Sequence, residues 1–170
     1  MLSLLPSIVA LGLAAVAALV LALNRHSPPE NVAQRRAAAR ALTFAVCIQG
    51  LHFVEESVTG FNEQFPGLFD LPAMPFSVFV VFNLAWLAIW AASIPGLRAA
   101  RTAAFFAAWF LAIAGTLNGV AHPVMAIAAG EYFPGLLSSP VIGAASVWVW
   151  FSLQRATRAG DDADRTIPSA

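Results

Sequence analysis

The chain contains five apolar stretches, each long enough to cross a lipid bilayer, and this limits the folds open to it. They lie at about residues 4–23, 41–59, 76–94, 103–127 and 135–153. About 20 apolar residues in an α-helix span the roughly 30 Å hydrocarbon layer. Because lipid cannot hydrogen-bond to the backbone, such stretches cross it as helices. The sequence therefore predicts an all-α, multi-pass membrane protein, with one bundle of five transmembrane helices over residues 1–154.

The composition agrees with a membrane protein and narrows its partners. Of the 170 residues, 59% are hydrophobic and 11% are charged, whereas about a quarter of a soluble domain is charged. The formal net charge is zero, so no nucleic-acid partner is expected. A single cysteine, Cys47, excludes an intrachain disulfide and a cysteine-cluster metal site. The expected partners are the bilayer, a hydrophobic small molecule and, as a further option, a second copy of the chain.

The arginines predict the orientation in the membrane. The first and third connections and the C-terminal flank carry all of the basic residues near the stretches: Arg25, Arg35, Arg36, Arg40, Arg98, Arg101, Arg155 and Arg158. The second and fourth connections carry none. The positive-inside rule then places the N-terminus outside and the C-terminus in the cytoplasm, in the plasma membrane. Residues 155–170, which include three aspartates, are predicted to form a disordered cytoplasmic tail.

Three ionisable residues, His52, Glu55 and Glu56, interrupt the second apolar stretch. Each costs about 2.5–3.5 kcal/mol at membrane depth on insertion scales, so such residues by default indicate function. On a helix turning 100° per residue, Gln49 and Thr59 fall on the same face. We expect this polar face to point into the bundle.

A second polar cluster, Asn118 and His122, interrupts the fourth stretch, with the residues four positions apart and therefore on one helix face. Gly115 and Gly119 precede His122 and permit close approach of another helix. Counted from the cytoplasmic arginines, six polar residues fall at one depth between the bilayer centre and the outer leaflet: His52, Glu56, Asn83, Asn118, His122 and Ser138. The sequence therefore predicts one polar chamber at that level.

The spacing of these residues suits a metal ion. Glu55 and Glu56 follow His52 by three and four positions, so one helix offers a nitrogen and up to two carboxylates, and His122 adds a second nitrogen. Such a set fits Zn or non-haem Fe, with Mn possible, in a mononuclear site, because di-iron sites draw on four glutamates. His52, Glu55 and Glu56 are also the candidate catalytic residues. Five further residues are candidates for supporting the ligands or contacting a substrate: Gln49, Thr59, Asn83, Asn118 and Ser138.

The string His52-x-x-Glu55-Glu56 in a small helical membrane protein resembles the HXXEE-motif family of membrane proteins. Asn118-x-x-x-His122 and the turn Tyr132-x-Pro134-Gly135 are also similar to elements of that family. The resemblance covers the chain from about the second stretch to the fifth. It implies a functional site within the membrane and does not specify a reaction.

Several functions remain open at this point. The favoured one is a membrane enzyme acting on a lipid-phase substrate, such as an isoprenoid or acyl lipid, by hydrolysis, oxidation or acid–base isomerisation. The alternatives are proton- or cation-coupled transport through Glu55 and Glu56, a haem held by His52 and His122, and a purely structural polar network. The aromatic stretch 61–76 is expected to cover the chamber, as a short helix at the outer interface.

Overall fold

The computed structural model describes residues 4–158, which form six α-helices and no β-strand. The helices are α1 (Leu5–Asn24), α2 (Val32–Thr59), α3 (Phe61–Gly67), α4 (Phe76–Arg98), α5 (Thr102–Ala129) and α6 (Ser139–Ala156). The predicted all-α class is confirmed. Within the described range, four helices, α1, α2, α4 and α5, are long and apolar enough to cross a membrane.

The C-terminal helix is shorter than the fifth apolar stretch. That stretch was expected to begin at residue 135, but Gly135 has φ +84° and the chain forms turns up to Ser138. The 18 residues of α6 then run past Gln154 to Ala156, and the polar end lowers its mean hydropathy. Five spans and their orientation therefore stay predictions. The rest of the predicted tail, residues 159–170, lies outside the described residues.

The second helix is longer than predicted at its N-terminal end. It begins at Val32, so residues expected in a connection belong to it. One of these, Arg35, is buried, and its guanidinium donates hydrogen bonds to the carbonyls of Pro28, Pro29 and Arg98. The sequence suggested only a topological role for this arginine. The structure shows that it joins the start of α2 to the end of α4.

Helix α5 lies at the centre of the bundle and packs against α1, α4 and α6, while α2 packs against α4 and α6. The closest approach is between α5 and α6, where a Cβ built on Gly119 would lie 2.7 Å from Gly143 Cα. The close helix contact predicted at Gly119 is present, and α6 is the partner. This contact fixes the position of the α5–α6 connection above the polar face of α2.

Large apolar side chains cover the outside of the bundle. Leu13, Val58 and Ile127 are 69%, 77% and 81% exposed. Apolar surface of this extent is rare on soluble monomers and is typical of a surface in contact with lipid. The exposed apolar surface thus agrees with the four helices long enough to span.

Candidate metal centre

Two histidines and one glutamate meet near the C-terminal ends of α2 and α5. His52 and Glu56 are one turn apart on α2, and His122 comes from α5. Glu56 Oε1 lies 3.5 Å from His52 Nε2 and 3.4 Å from His122 Nε2. All three residues are buried, and one ligand atom from each lies within 4.8 Å of the others. We call His52, Glu56 and His122 the triad.

The other ring nitrogen of each histidine is held by the loop between α5 and α6. His122 Nδ1 lies 2.6 Å from the Pro134 carbonyl oxygen, which can only accept a hydrogen bond. His52 Nδ1 lies 2.7 Å from Ser138 Oγ. The Ser138 hydroxyl donates its hydrogen to Glu55 and must therefore accept one from His52. Both neutral rings are thus assigned as Nδ1–H tautomers, with the Nε2 lone pairs directed into the triad.

Three electron-rich atoms therefore converge in a buried space. A proton on Glu56 could bond only one of the two histidine nitrogens, and His52 Nε2 has no hydrogen-bond partner within residues 4–158. A divalent cation could bond all three atoms. Zinc bonds of about 2.0–2.1 Å in a tetrahedron place ligand atoms about 3.3–3.4 Å apart. Glu56 Oε1 lies at similar distances, 3.5 and 3.4 Å, from the Nε2 atoms of His52 and His122. The triad could therefore hold a metal ion.

The two imidazoles do not have the arrangement of haem axial ligands. Their ring centroids are 4.8 Å apart, and the planes are nearly perpendicular at 85°. This contact leaves no room for a porphyrin between His52 and His122, and Glu56 Oε1 lies close to both Nε2 atoms. The geometry therefore does not support the haem alternative.

Glu55 points away from the triad. Its Oε1 accepts hydrogen bonds from Tyr132 Oη at 2.6 Å and from Leu137 N at 2.9 Å. Its Oε2 accepts one from Ser138 N at 2.8 Å and another from the Ser138 hydroxyl. With four donors on its two oxygens, Glu55 lies outside the group that could hold a metal. The metal and catalytic roles predicted for Glu55 are not supported by this position. Glu55 instead attaches the α5–α6 loop to α2.

The backbone of Gly135 lies directly beside both imidazoles and leaves no space for a side chain. A Cβ at this residue would lie 2.6 Å from His122 Cε1 and 2.8 Å from His52 Cε1. Its φ of +84° also lies in the left-handed region that favours glycine. Any larger residue would displace the two histidines of the triad.

A cavity of about 600 Å³ adjoins the triad. Glu56 and His122 form part of its wall, as do three of the predicted supporting residues, Gln49, Asn83 and Asn118. The other two lie elsewhere. Ser138 contacts His52 and Glu55, while the Thr59 hydroxyl donates to the Glu55 backbone carbonyl. The stretch predicted to cover the chamber, residues 61–76, contributes the wall residues Phe61, Phe65 and Met74; residues 78 and 79 of α4 also line the cavity.

The part of the chain that holds this site matches a known protein family. Residues 43–149 match the sequence model of a family described as a protein of unknown function with HXXEE motif. The chain belongs to the HXXEE-motif family. The matched region contains the whole triad and the α5–α6 loop. No curated protein and no solved structure gives a significant match.

The residues of the HXXEE motif face two different parts of the protein. Its first and last residues, His52 and Glu56, lie one turn apart and face His122, whereas the middle glutamate faces the α5–α6 loop. Sequence reasoning did not assign site roles to Gly135 or to the Pro134 carbonyl. The turn Tyr132-x-Pro134-Gly135 was the signal that could have indicated them, because glycine after proline marks a backbone position with special geometry.

Proposed function

We propose that this protein is a membrane-embedded metalloenzyme with one metal ion bound by His52, Glu56 and His122. The observation that carries the proposal is the convergence of two Nε2 lone pairs and a carboxylate oxygen, with both imidazoles oriented by the α5–α6 loop. Three protein ligands leave coordination positions free, as in catalytic zinc sites and in two-histidine, one-carboxylate iron sites. A structural zinc site would have four protein ligands.

The cavity supports a substrate from the lipid phase. Its wall consists mainly of aliphatic and aromatic side chains, and Glu56 and His122 expose part of the triad to it. Zinc bound there would polarise an ester or similar bond for hydrolysis, and iron would support oxidation of a chain. The chain's own contribution is to position the ligands and to exclude bulk water, since the triad residues are buried. Isoprenoid and acyl lipids are the substrate classes we propose.

The topology that we propose keeps five membrane crossings, with α6 as the fifth. Its 18 residues give a length of about 27 Å at roughly 1.5 Å per residue, close to the hydrocarbon thickness of about 30 Å. Arg25, Arg98 and Arg101 then lie on the cytoplasmic side, the N-terminus outside, and the triad in the outer half of a plasma membrane bilayer.

Proton- or cation-coupled transport through Glu55 and Glu56 receives less support. Transport requires a polar path to both faces, and Glu55 is held by four hydrogen bonds from one loop. Towards the cytoplasmic end of α5, the described core consists of buried apolar residues such as Phe105 and Trp109. The structure therefore favours a site confined to one depth of the membrane over a path that crosses it.

Metal content tests the proposal directly. Detergent-purified wild type, His122→Ala, Glu56→Gln and the control His26→Ala are compared by inductively coupled plasma mass spectrometry. His26 is the third histidine of the chain and is exposed in the α1–α2 connection. We expect one equivalent of a transition metal in the wild type and in the control. Mutation of a residue that supports a metal ligand typically lowers metal affinity about 10- to 100-fold. The two triad variants remove a ligand itself, so their metal affinity should fall further.

The result also identifies the reaction class to assay, because zinc favours hydrolysis and iron favours oxidation. A wild type that binds no transition metal, even after incubation with zinc or ferrous iron, would refute the metalloenzyme. Equal metal content in the wild type and in a folded His122→Ala variant would refute the triad as the binding site.

A further inference from the structure

The cavity beside the triad is long and lies between several helices. Helices α1 and α4 both pack on α5, and all three contribute to the wall. Along α5 the wall runs from Phe110 to Met125, which is about 22 Å at roughly 1.5 Å per residue. A space of this length is suited to an extended hydrocarbon chain.

The polarity of the residues in the wall changes along the length of this cavity. Glu56 and His122 lie side by side in the wall, and the three amides Gln49, Asn83 and Asn118 lie next. Asn118 is four residues from His122, which corresponds to about 6 Å along the helix. Towards the cytoplasmic side the wall becomes aromatic and apolar, with Trp86, Trp90 and Phe110. Beyond the triad the wall is apolar again, at Phe61, Phe65 and Met125, so the polar groups lie between two apolar sections; we call the section with Trp86 and Trp90 the apolar end.

The three amides have hydrogen-bonding capacity to spare. Within residues 4–158 their one side-chain hydrogen bond runs from Asn83 Nδ2 to the Phe79 carbonyl of the same helix, at 3.0 Å. Gln49 is only 5% exposed and faces the cavity. Asn83 and Asn118 are half-buried, whereas a buried amide such as Gln49 is normally paired, and its lack of a side-chain partner requires an explanation. In a largely apolar cavity, a polar group of a bound molecule provides one.

We propose that the cavity binds a single-chain amphiphile, an acyl or isoprenoid chain with a hydrogen-bonding head group. The head group lies against Gln49, Asn83 and Asn118 beside the triad, and the chain extends towards Trp86 and Trp90. The volume of about 600 Å³ is in the usual range of about 300–1,000 Å³ for small-molecule sites, which suits one chain better than a diacyl lipid. The inference rests on the proposed function only for the fate of the head group, because binding itself requires no metal.

Tryptophan quenching by brominated probes tests the position of the chain. Two of the five tryptophans line the apolar end. The probes are long-chain primary alcohols with bromine either on the terminal carbon or beside the head group, added to the full-length protein in detergent. We expect strong quenching by the terminal bromine and weak quenching by the other. The double variant Trp86→Phe, Trp90→Phe should abolish the difference between the two probes.

Variants of the amides test the recognition of the head group. Gln49→Leu and, on another helix, Asn118→Leu should each weaken binding of the terminally brominated alcohol by about tenfold. Neither should change binding of the corresponding bromoalkane, which has no head group. Gln34→Leu is the matched control, because Gln34 is an exposed glutamine on the same helix as Gln49. Circular dichroism and gel filtration establish that the variants fold.

The outcomes separate this inference from the metalloenzyme. Quenching retained in chelator-treated protein supports the amphiphile site whether or not the triad binds metal. Equal affinities for the alcohol and the bromoalkane, unchanged in Gln49→Leu and Asn118→Leu, would overturn the role of the amides and indicate that water hydrates them. Absence of quenching by any probe would overturn the site itself, and a stoichiometric metal could still be present.

Discussion

Replacement of Gly135 by alanine should disable the triad without removing any of its ligands. The added Cβ would lie 2.6 Å from His122 Cε1, 2.7 Å from His122 Nδ1 and 2.8 Å from His52 Cε1. Ordinary van der Waals contact begins near 3.4 Å, so each ring must move by a sizeable fraction of an ångström. Metal–ligand distances tolerate about 0.2 Å. We therefore expect metal affinity to fall at least about 10- to 100-fold, the range seen when residues around a ligand shell change.

A backbone effect accompanies this change and needs its own control. Alanine in the left-handed region costs about 1–2 kcal/mol. Gly60→Ala carries the same backbone strain without the overlap, because Gly60 has the same φ of +84° and its added Cβ would come no closer than 4.0 Å to a neighbour, Gln64 Nε2. Both variants should lose thermal stability in the metal-free state, and Gly135→Ala should lose more, because its Cβ also overlaps the two imidazoles. Only Gly135→Ala should lose metal affinity.

Chelator competition and thermal unfolding of the two purified variants measure these quantities. If Gly135→Ala binds metal as tightly as Gly60→Ala, the contact between Gly135 and the imidazoles does not control the site. If Gly135→Ala is also no less stable than Gly60→Ala, the close packing of the α5–α6 loop on the triad is wrong.

Three further predictions concern the loop and the helix contact. Gly119→Ala should destabilise the protein by about 1–3 kcal/mol, as overpacking usually does, because its Cβ would overlap Gly143; thermal unfolding in detergent measures this. Glu56→Gln should reduce metal affinity more than Glu55→Gln, since Glu55 lies outside the triad; chelator competition ranks them. Partial burial and the hydrogen bond to Glu55 raise the pKa of Tyr132 above 10.0, so its stabilising contribution is complete below pH 10.0 and is lost as pH rises through the raised pKa. Tyrosinate absorbance should show this shift, and Glu55→Gln should reduce it, because the substitution removes the carboxylate but leaves the burial.

Two features of the chain make these tests specific. Tyr132 is the only tyrosine, so the absorbance change belongs to one group, and a midpoint at or below 10.0 would contradict the contact with Glu55.

For the helix contact, Gly12→Ala is the control. A Cβ at Gly12 would meet nothing within 4 Å, and alanine favours a helix by about 1 kcal/mol over glycine. Equal stability of Gly12→Ala and Gly119→Ala would refute the α5–α6 overlap.

The sequence alone determined the helical class and the polar face of α2. Both follow from local rules: apolar stretches of bilayer length form helices, and residues three or four apart share a helix face. Those rules also indicated that His52, Glu56 and His122 belong at one depth. The HXXEE signature correctly indicated the family over residues 43–149.

Only the tertiary structure decided the different positions of the two adjacent glutamates. Successive residues on a helix point about 100° apart, so a small rotation of α2 determines whether Glu55 or Glu56 faces His122. The rotation depends on the α5–α6 loop, which supplies four donors to Glu55 and the Pro134 and Ser138 oxygens to the histidines. That loop occupies the start of the fifth apolar stretch, where hydropathy predicted helix. Apolar composition cannot distinguish a membrane helix from a turn packed against buried imidazoles, because both remove the same side chains from water.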